Sequence, residues 1–172
     1  MDPLMKFIGR TSRCAILYRG NLLAPYGLNG HQHSYIIPIC QHPGITQDKL
    51  AQMVYVNKSN VARQISLLEQ NGFATRLPGD TDRRQMRVYP TDKLLELYPK
   101  ILEVLKGWNE KLLEDFNPGE RQLLMGMMEK ITEKAIKTIS ELQEADEPNS
   151  GTEAAGKEKR PSGRADSDGG LQ

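Results

Sequence analysis

The chain has 172 residues, and its 23 Lys and Arg nearly cancel its 22 Asp and Glu, leaving a formal net charge of +1. That length holds one well-buried domain and falls short of two full ones, and a near-neutral chain must carry any footprint for a polyanion locally. There is no signal-like start, no run of about 18 apolar residues and, in Cys14 and Cys40, too little cysteine for a disulfide framework, so a soluble cytoplasmic protein with no membrane partner is expected.

Residues 5–24 carry Phe7, Ile8, Ala15, Ile16, Tyr18, Leu22 and Leu23 at mostly helical intervals, and Ala24-Pro25-Tyr26-Gly27 ends the pattern. Asn29, with Gln32 three residues on, predicts the capped start of a second helix. It bears Tyr35, Ile36, Ile37, Ile39 and Cys40, with a kink or early end expected at Pro38, and Pro43-Gly44 closes it. Thr46 caps a third helix with Leu50, Ala51 and Val54 on one face. Asn57 caps a fourth, in which Val61, Ile65 and Leu68 recur at i, i+4 and i+7, and Gly72 supplies a left-handed stop.

From Phe73 to Tyr89 the period shortens. Two strand-like pieces, around residues 75–77 and 87–89, flank a polar loop at Gly79-Asp80. Thr91 then caps the next and longest helical stretch, carrying Leu94, Leu97, Tyr98, Ile101, Leu105, Trp108 and Leu112, with a bend expected at Pro99. Asn117-Pro118-Gly119-Glu120 restarts a last helix with Leu124, Met127, Ile131, Ala135, Ile139 and Leu142. After about Ala145 the composition turns to Gly, Ser, Pro and mixed charge, which buries too little apolar surface to offset ordering. Residues 145–172 are expected to be a disordered tail.

Helix, short turn, helix and a two-stranded ribbon make a winged helix-turn-helix. With Val61, Ile65 and Leu68 inward, the opposite face of the fourth helix presents Ser59, Arg63 and Ser66, flanked by Asn60 and Ala62, with Lys58 at its open start. Such a face suits a major groove: Arg63 for guanine, Asn60 for adenine, Ser59 and Lys58 for phosphates. The same face also fits an ordinary solvated amphipathic helix. The stretch that follows tips the balance. Between Lys58 and Tyr89, the cations Lys58, Arg63, Arg76, Arg83, Arg84 and Arg87 outnumber Glu69, Asp80 and Asp82, a local excess of three positive charges. Arg83 and Arg84 at a hairpin tip suit a minor groove, and Asp82 suits a brace for a neighbouring arginine.

The segment DRRQMRVYPT, residues 82–91, resembles the wing signature of the MarR family of regulators. Gly44-Ile45-Thr46-Gln47 with Leu50-Ala51 is similar to that family's first DNA-unit helix. Asn57-Lys58-Ser59 with Val61, Arg63, Leu68-Glu69 and Gly72 is similar to its recognition helix. The likeness spans residues 5–143 or so. It departs at Pro90, where the family usually has an aliphatic residue and where the missing donor bears on sheet hydrogen bonding. The resemblance implies a mainly α fold with a small β-hairpin wing, over residues 1–144. Its DNA-binding unit lies at about 44–91, and its dimerisation helices at about 5–24 and 91–144. Thr46, Lys58, Ser59, Asn60, Arg63, Ser66, Arg83, Arg84 and Arg87 form the expected DNA-binding set. The wide apolar faces of the terminal helices independently favour a homodimer, because left open they would be an aggregation hazard.

Three sensing features remain. Cys14, four residues before Tyr18, resembles the peroxide-sensing branch of the family, with Arg13 and Arg19 near enough in sequence to lower the thiol pKa. It equally fits a small buried hydrophobe, and Cys40 fits plain core. Tyr18, Tyr26, Tyr35 and Trp108 suit either packing or a pocket for a small aromatic effector, the family's common pattern. His31, His33, Cys40 and His42 are poorly spaced for a metal, so neither metal nor cofactor is expected. No nucleophile elbow or phosphate-cradling loop suggests an enzyme. The expected function is a ligand- or stress-responsive repressor that binds a pseudo-palindromic operator in double-stranded DNA as a homodimer. The alternative is a winged helix used for protein contacts without operator binding.

Overall fold

The computed structural model describes residues 3–79 and 85–146. Two compact units are distinguished, one ending at Phe116 and one beginning at Asn117.

In the first unit, α1 (Leu4–Leu23) buries Ala15, Arg19 and Leu23 and packs on α5 (Asp92–Leu112). The expected apolar face is only partly used, since Phe7 and Leu22 are exposed, as is Leu17. A 3-10 turn, Ala24–Tyr26, follows. The Asn29–Gln32 pair forms as expected: Asn29 N donates to Gln32 Oε1 (2.9 Å) and Gln32 N to Asn29 Oδ1 (3.2 Å). It closes a turn, however, and the regular helix α2 (His33–Gln41) begins only after it. Pro38 lies inside α2, which ends three residues later.

The sheet is larger than the expected ribbon. Ile45–Thr46 forms β1, which pairs antiparallel with β3 (Met86–Pro90), and β3 pairs with β2 (Ala74–Pro78), giving the order β1-β3-β2. Two residues cannot display a period, so β1 left no trace in the pattern. Pro90 is accommodated at the end of β3 opposite Ala74, and Thr91 N takes up pairing by donating to the Phe73 carbonyl (3.1 Å).

Thr46 accepts from Lys49 N at the start of α3 (Gln47–Val54), and Asn57 accepts from Asn60 N at the start of α4 (Lys58–Gln70). α4 ends in a Schellman motif. Phe73 N donates to Leu68 O (2.8 Å), Gly72 N donates to Glu69 O (2.9 Å), and Gly72 takes the left-handed conformation (φ +74°) that the motif requires. Val61, Ile65 and Leu68 are fully buried in one cluster with Leu50, Ile36, Ile39, Phe73, Val88, Leu94 and Ile101. α2, α3, α4, α5 and the sheet thus share a single core, and that core fixes α4 by its inward face.

The second unit is α6 (Pro118–Asp146), entered by a reciprocal capping box: Asn117 N to Glu120 Oε2 (2.9 Å) and Glu120 N to Asn117 Oδ1 (3.0 Å). At 29 residues it is longer than α5 at 21, contrary to the expectation. The Asn117-Pro118 restart cuts the earlier stretch short, and nothing interrupts the helical period after it. Leu123, Met127, Ile139 and Leu142 on α6 are exposed. Among the described residues no helix is long and apolar enough to cross a membrane.

Candidate nucleic-acid interface

The outward face of α4 follows from its burial. Residues 61, 65 and 68 point into the core, and a 3.6-residue helix then turns 59 and 63 to the far side. Ser59 and Arg63 are exposed there, as is Lys58 at the helix start. Two contacts shape this end. Lys58 Nζ lies 3.0 Å from Asp48 Oδ1, linking the first turns of α3 and α4. Ser59 Oγ donates to Asn57 Oδ1 (3.0 Å), so the capping oxygen serves both backbone and side chain.

Two expected members of the face sit differently. Asn60 is half-buried, its Oδ1 enclosed without a hydrogen-bond partner, and Gln64 one turn on has its Oε1 in the same condition. On α2, burial pushes the Tyr35 phenol up from its ordinary value and the nearby Arg63 charge opposes the shift. Ser66, on the other flank, turns toward the sheet and accepts from Arg76 Nη2 (3.2 Å). With one lone pair taken there, its hydrogen and its second lone pair remain for an outside partner.

Arg76, counted above in the basic stretch, is therefore engaged. Its Nε donates to Glu69 Oε2 (2.8 Å), a pair of which each side chain is about a quarter exposed. Arg87 is half-buried on β3 opposite Thr46 and donates to the Gly44 carbonyl (3.1 Å). Thr46 and Arg87 share a hollow with His42, Lys49 and Met53. Asp82, Arg83 and Arg84 lie outside the described residues. Sequence reasoning missed Asp48, the pairing of Glu69 with Arg76, and the joint Tyr55. Tyr55, at the turn between α3 and α4, is a non-glycine residue with positive φ (+52°). An unpaired acid within reach of each cation was the available signal for Asp48 and Glu69.

The sensing residues are scattered. Cys14 is exposed, whereas Arg19 is buried and donates through Nε to the Gly30 carbonyl (3.1 Å). Tyr18 packs its ring on Trp108, with centroids 5.0 Å apart. Tyr35 is buried, and Tyr26 lies in a separate surface hollow with Phe73, Lys93 and Leu97. Burial pushes the Cys40 thiol up to about 11. His33 is pushed down to about 4, first by burial and then by the Arg19 charge. Among the described residues no group of three or more His, Cys, Asp or Glu could hold a metal ion.

A helix-turn-helix backed by a three-stranded sheet, with its second helix outward, defines a winged-helix protein of the transcription-regulator class. The family model described as "MarR family" matches residues 28–86. A solved structure of MarR is 31% identical, covers 79% of this chain and 99% of its own, and superposes with a TM-score of 0.70. The HTH-type transcriptional regulator YybA of Bacillus subtilis (strain 168) is 27% identical over 131 residues, 76% of this chain and 87% of that protein. A MarR-family regulator from Listeria monocytogenes, solved in complex with a 26mer DNA, has the same fold at 23% identity, with a TM-score of 0.77, covering 86% of this chain and 99% of that one. The chain belongs to the MarR family of transcriptional regulators.

Proposed function

We propose that the protein is a repressor that binds a pseudo-palindromic operator as a homodimer and is released by a small-molecule effector or a stress signal. The observation that carries the DNA half is the outward face of α4, where Ser59, Arg63 and Lys58 project from a helix held rigidly by Val61, Ile65 and Leu68. Arg63 reads a guanine edge while Lys58 and Ser59 hold phosphates. Thr46 and Arg87 approach the backbone beside the hairpin, with Asp82 as brace and Arg83 or Arg84 in the minor groove.

The dimer is supported by apolar surface that the single chain leaves open: Phe7, Leu17 and Leu22 on α1, and Leu123, Met127, Ile139 and Leu142 on α6. Pairing two copies about a two-fold axis would bury these faces and set the two α4 helices about 34 Å apart, one turn of DNA. The Listeria protein of like fold is complexed with a 26mer DNA, which supports duplex DNA as the partner. Family membership supports effector control and action in the cytoplasm, where a repressor meets its operator.

A mobility-shift titration on duplexes that the protein itself selects from a random pool tests this reading. Steep loss of affinity with rising salt is expected, because several phosphates are neutralised. Failure to enrich any duplex would instead favour a winged helix used for protein contacts.

A further inference from the structure

The pair Arg76–Glu69 joins the two elements to which the proposed function assigns DNA contacts. Arg76 lies mid-β2, in the row across the sheet that also holds Val88 and Ile45, both buried. Directly paired residues of neighbouring strands share a face, so Arg76 extends from the inner face of the sheet onto α4. There it binds Glu69 by Nε and Nη2 and Ser66 by Nη2. Ser66 and Glu69 are three apart and lie on one side of α4.

Burial along β2 shows why this contact matters. Ala74 is buried and Thr75 and Arg76 are half-buried, but Leu77 and Pro78 are exposed. Within β2, Arg76 is the last residue that is not exposed. A strand advances about 3.3 Å per residue, so the tie sits roughly 10 Å beyond the Phe73 anchor. Its side chains are 28% and 25% exposed, against 73% and 59% for Lys58 and Asp48, so water screens it far less.

We infer that Arg76, acting through Glu69 and Ser66, is a positioning residue that fixes the β2–β3 hairpin relative to the reading face of α4. This rests on the DNA-binding reading. Arg76 itself contributes no DNA contact; it sets where the hairpin meets the duplex once α4 is seated.

The full-length wild type, Arg76→Gln, Glu69→Gln and the reciprocal swap Glu69→Arg with Arg76→Glu are compared on one self-selected duplex of about 30 base pairs, roughly three helical turns. Each single variant is expected to lose about tenfold in affinity and to lose hydroxyl-radical protection in the minor groove flanking the site. Protection of guanine N7 in the major groove persists. The swap regains both affinity and flanking protection, which a simple loss of stability would not allow. Single variants that bind and protect like wild type overturn the inference. So do single variants in which both protections fade together with melting temperature, and a swap that restores nothing. A wild type that protects no selected duplex removes the DNA-binding reading itself, a result visible before any variant is made.

Discussion

The Nε of Arg19 lies 3.1 Å from the Gly30 carbonyl oxygen, and through this bond α1 grips the loop leading into α2. The loop is pressed against the helix backbone: a Cβ placed on Gly30 would stand 2.0 Å from the Ile16 carbonyl oxygen and 2.9 Å from its carbon. No side chain can move aside to relieve that contact. Gly30→Ala is therefore expected to destabilise the fold by about 3 kcal/mol or more, as forced backbone displacement does. Urea unfolding of the two proteins checks it.

His33 shares this corner. Its Nδ1 is enclosed without a partner, and burial together with the Arg19 charge pushes the imidazole down to about 4 from its ordinary 6.5. An unfolded chain accepts a proton near pH 6.5 that the folded chain refuses until about pH 4. The contribution is therefore complete above pH 6.5 and falls as the solution is acidified toward 4. Allowing for the partial exposure of the ring, about 2 kcal/mol is lost across that window. From pH 7 to pH 4 the wild type should lose roughly that much unfolding free energy relative to His33→Gln.

Tyr55 carries φ +52° at the joint between α3 and α4 and is 64% exposed, so little packing offsets its left-handed backbone. Glycine adopts that region freely and a β-branched residue resists it most. Tyr55→Gly is expected to gain about 0.5 kcal/mol and Tyr55→Val to lose about 1 kcal/mol. Chemical denaturation of both variants against wild type reads the order directly.

Much of this architecture was legible because its signals are local. The caps at Thr46, Asn57, Thr91 and Asn117 and the stop at Gly72 are decided within three or four residues, and each forms the bond its sequence suggests. What escaped depends on distant partners. β1 exists only because Ile45 meets Val88, and Arg76 reads as a free cation until β2 folds back on Glu69. The apolar period of α1 says that a face will be covered, but not whether its own chain covers it. Phe7 and Leu22 stay open, while the charged Arg19 goes inside.

The hairpin arginine belongs to the proposal made from sequence. Arg84→Ala is expected to weaken binding to a self-selected duplex while leaving the melting temperature unchanged. Thermal scans paired with fluorescence anisotropy test this, and unchanged affinity would reject the wing assignment.

The central claim, that the outward face of α4 reads base edges, is tested most directly by measuring Arg63→Ala on the best selected duplex and on a random duplex at the same salt. The account predicts a loss of about 1–3 kcal/mol on the selected site, with relaxed preference at one base pair and little change on random DNA. Equal losses on both duplexes, or none on either, would contradict it.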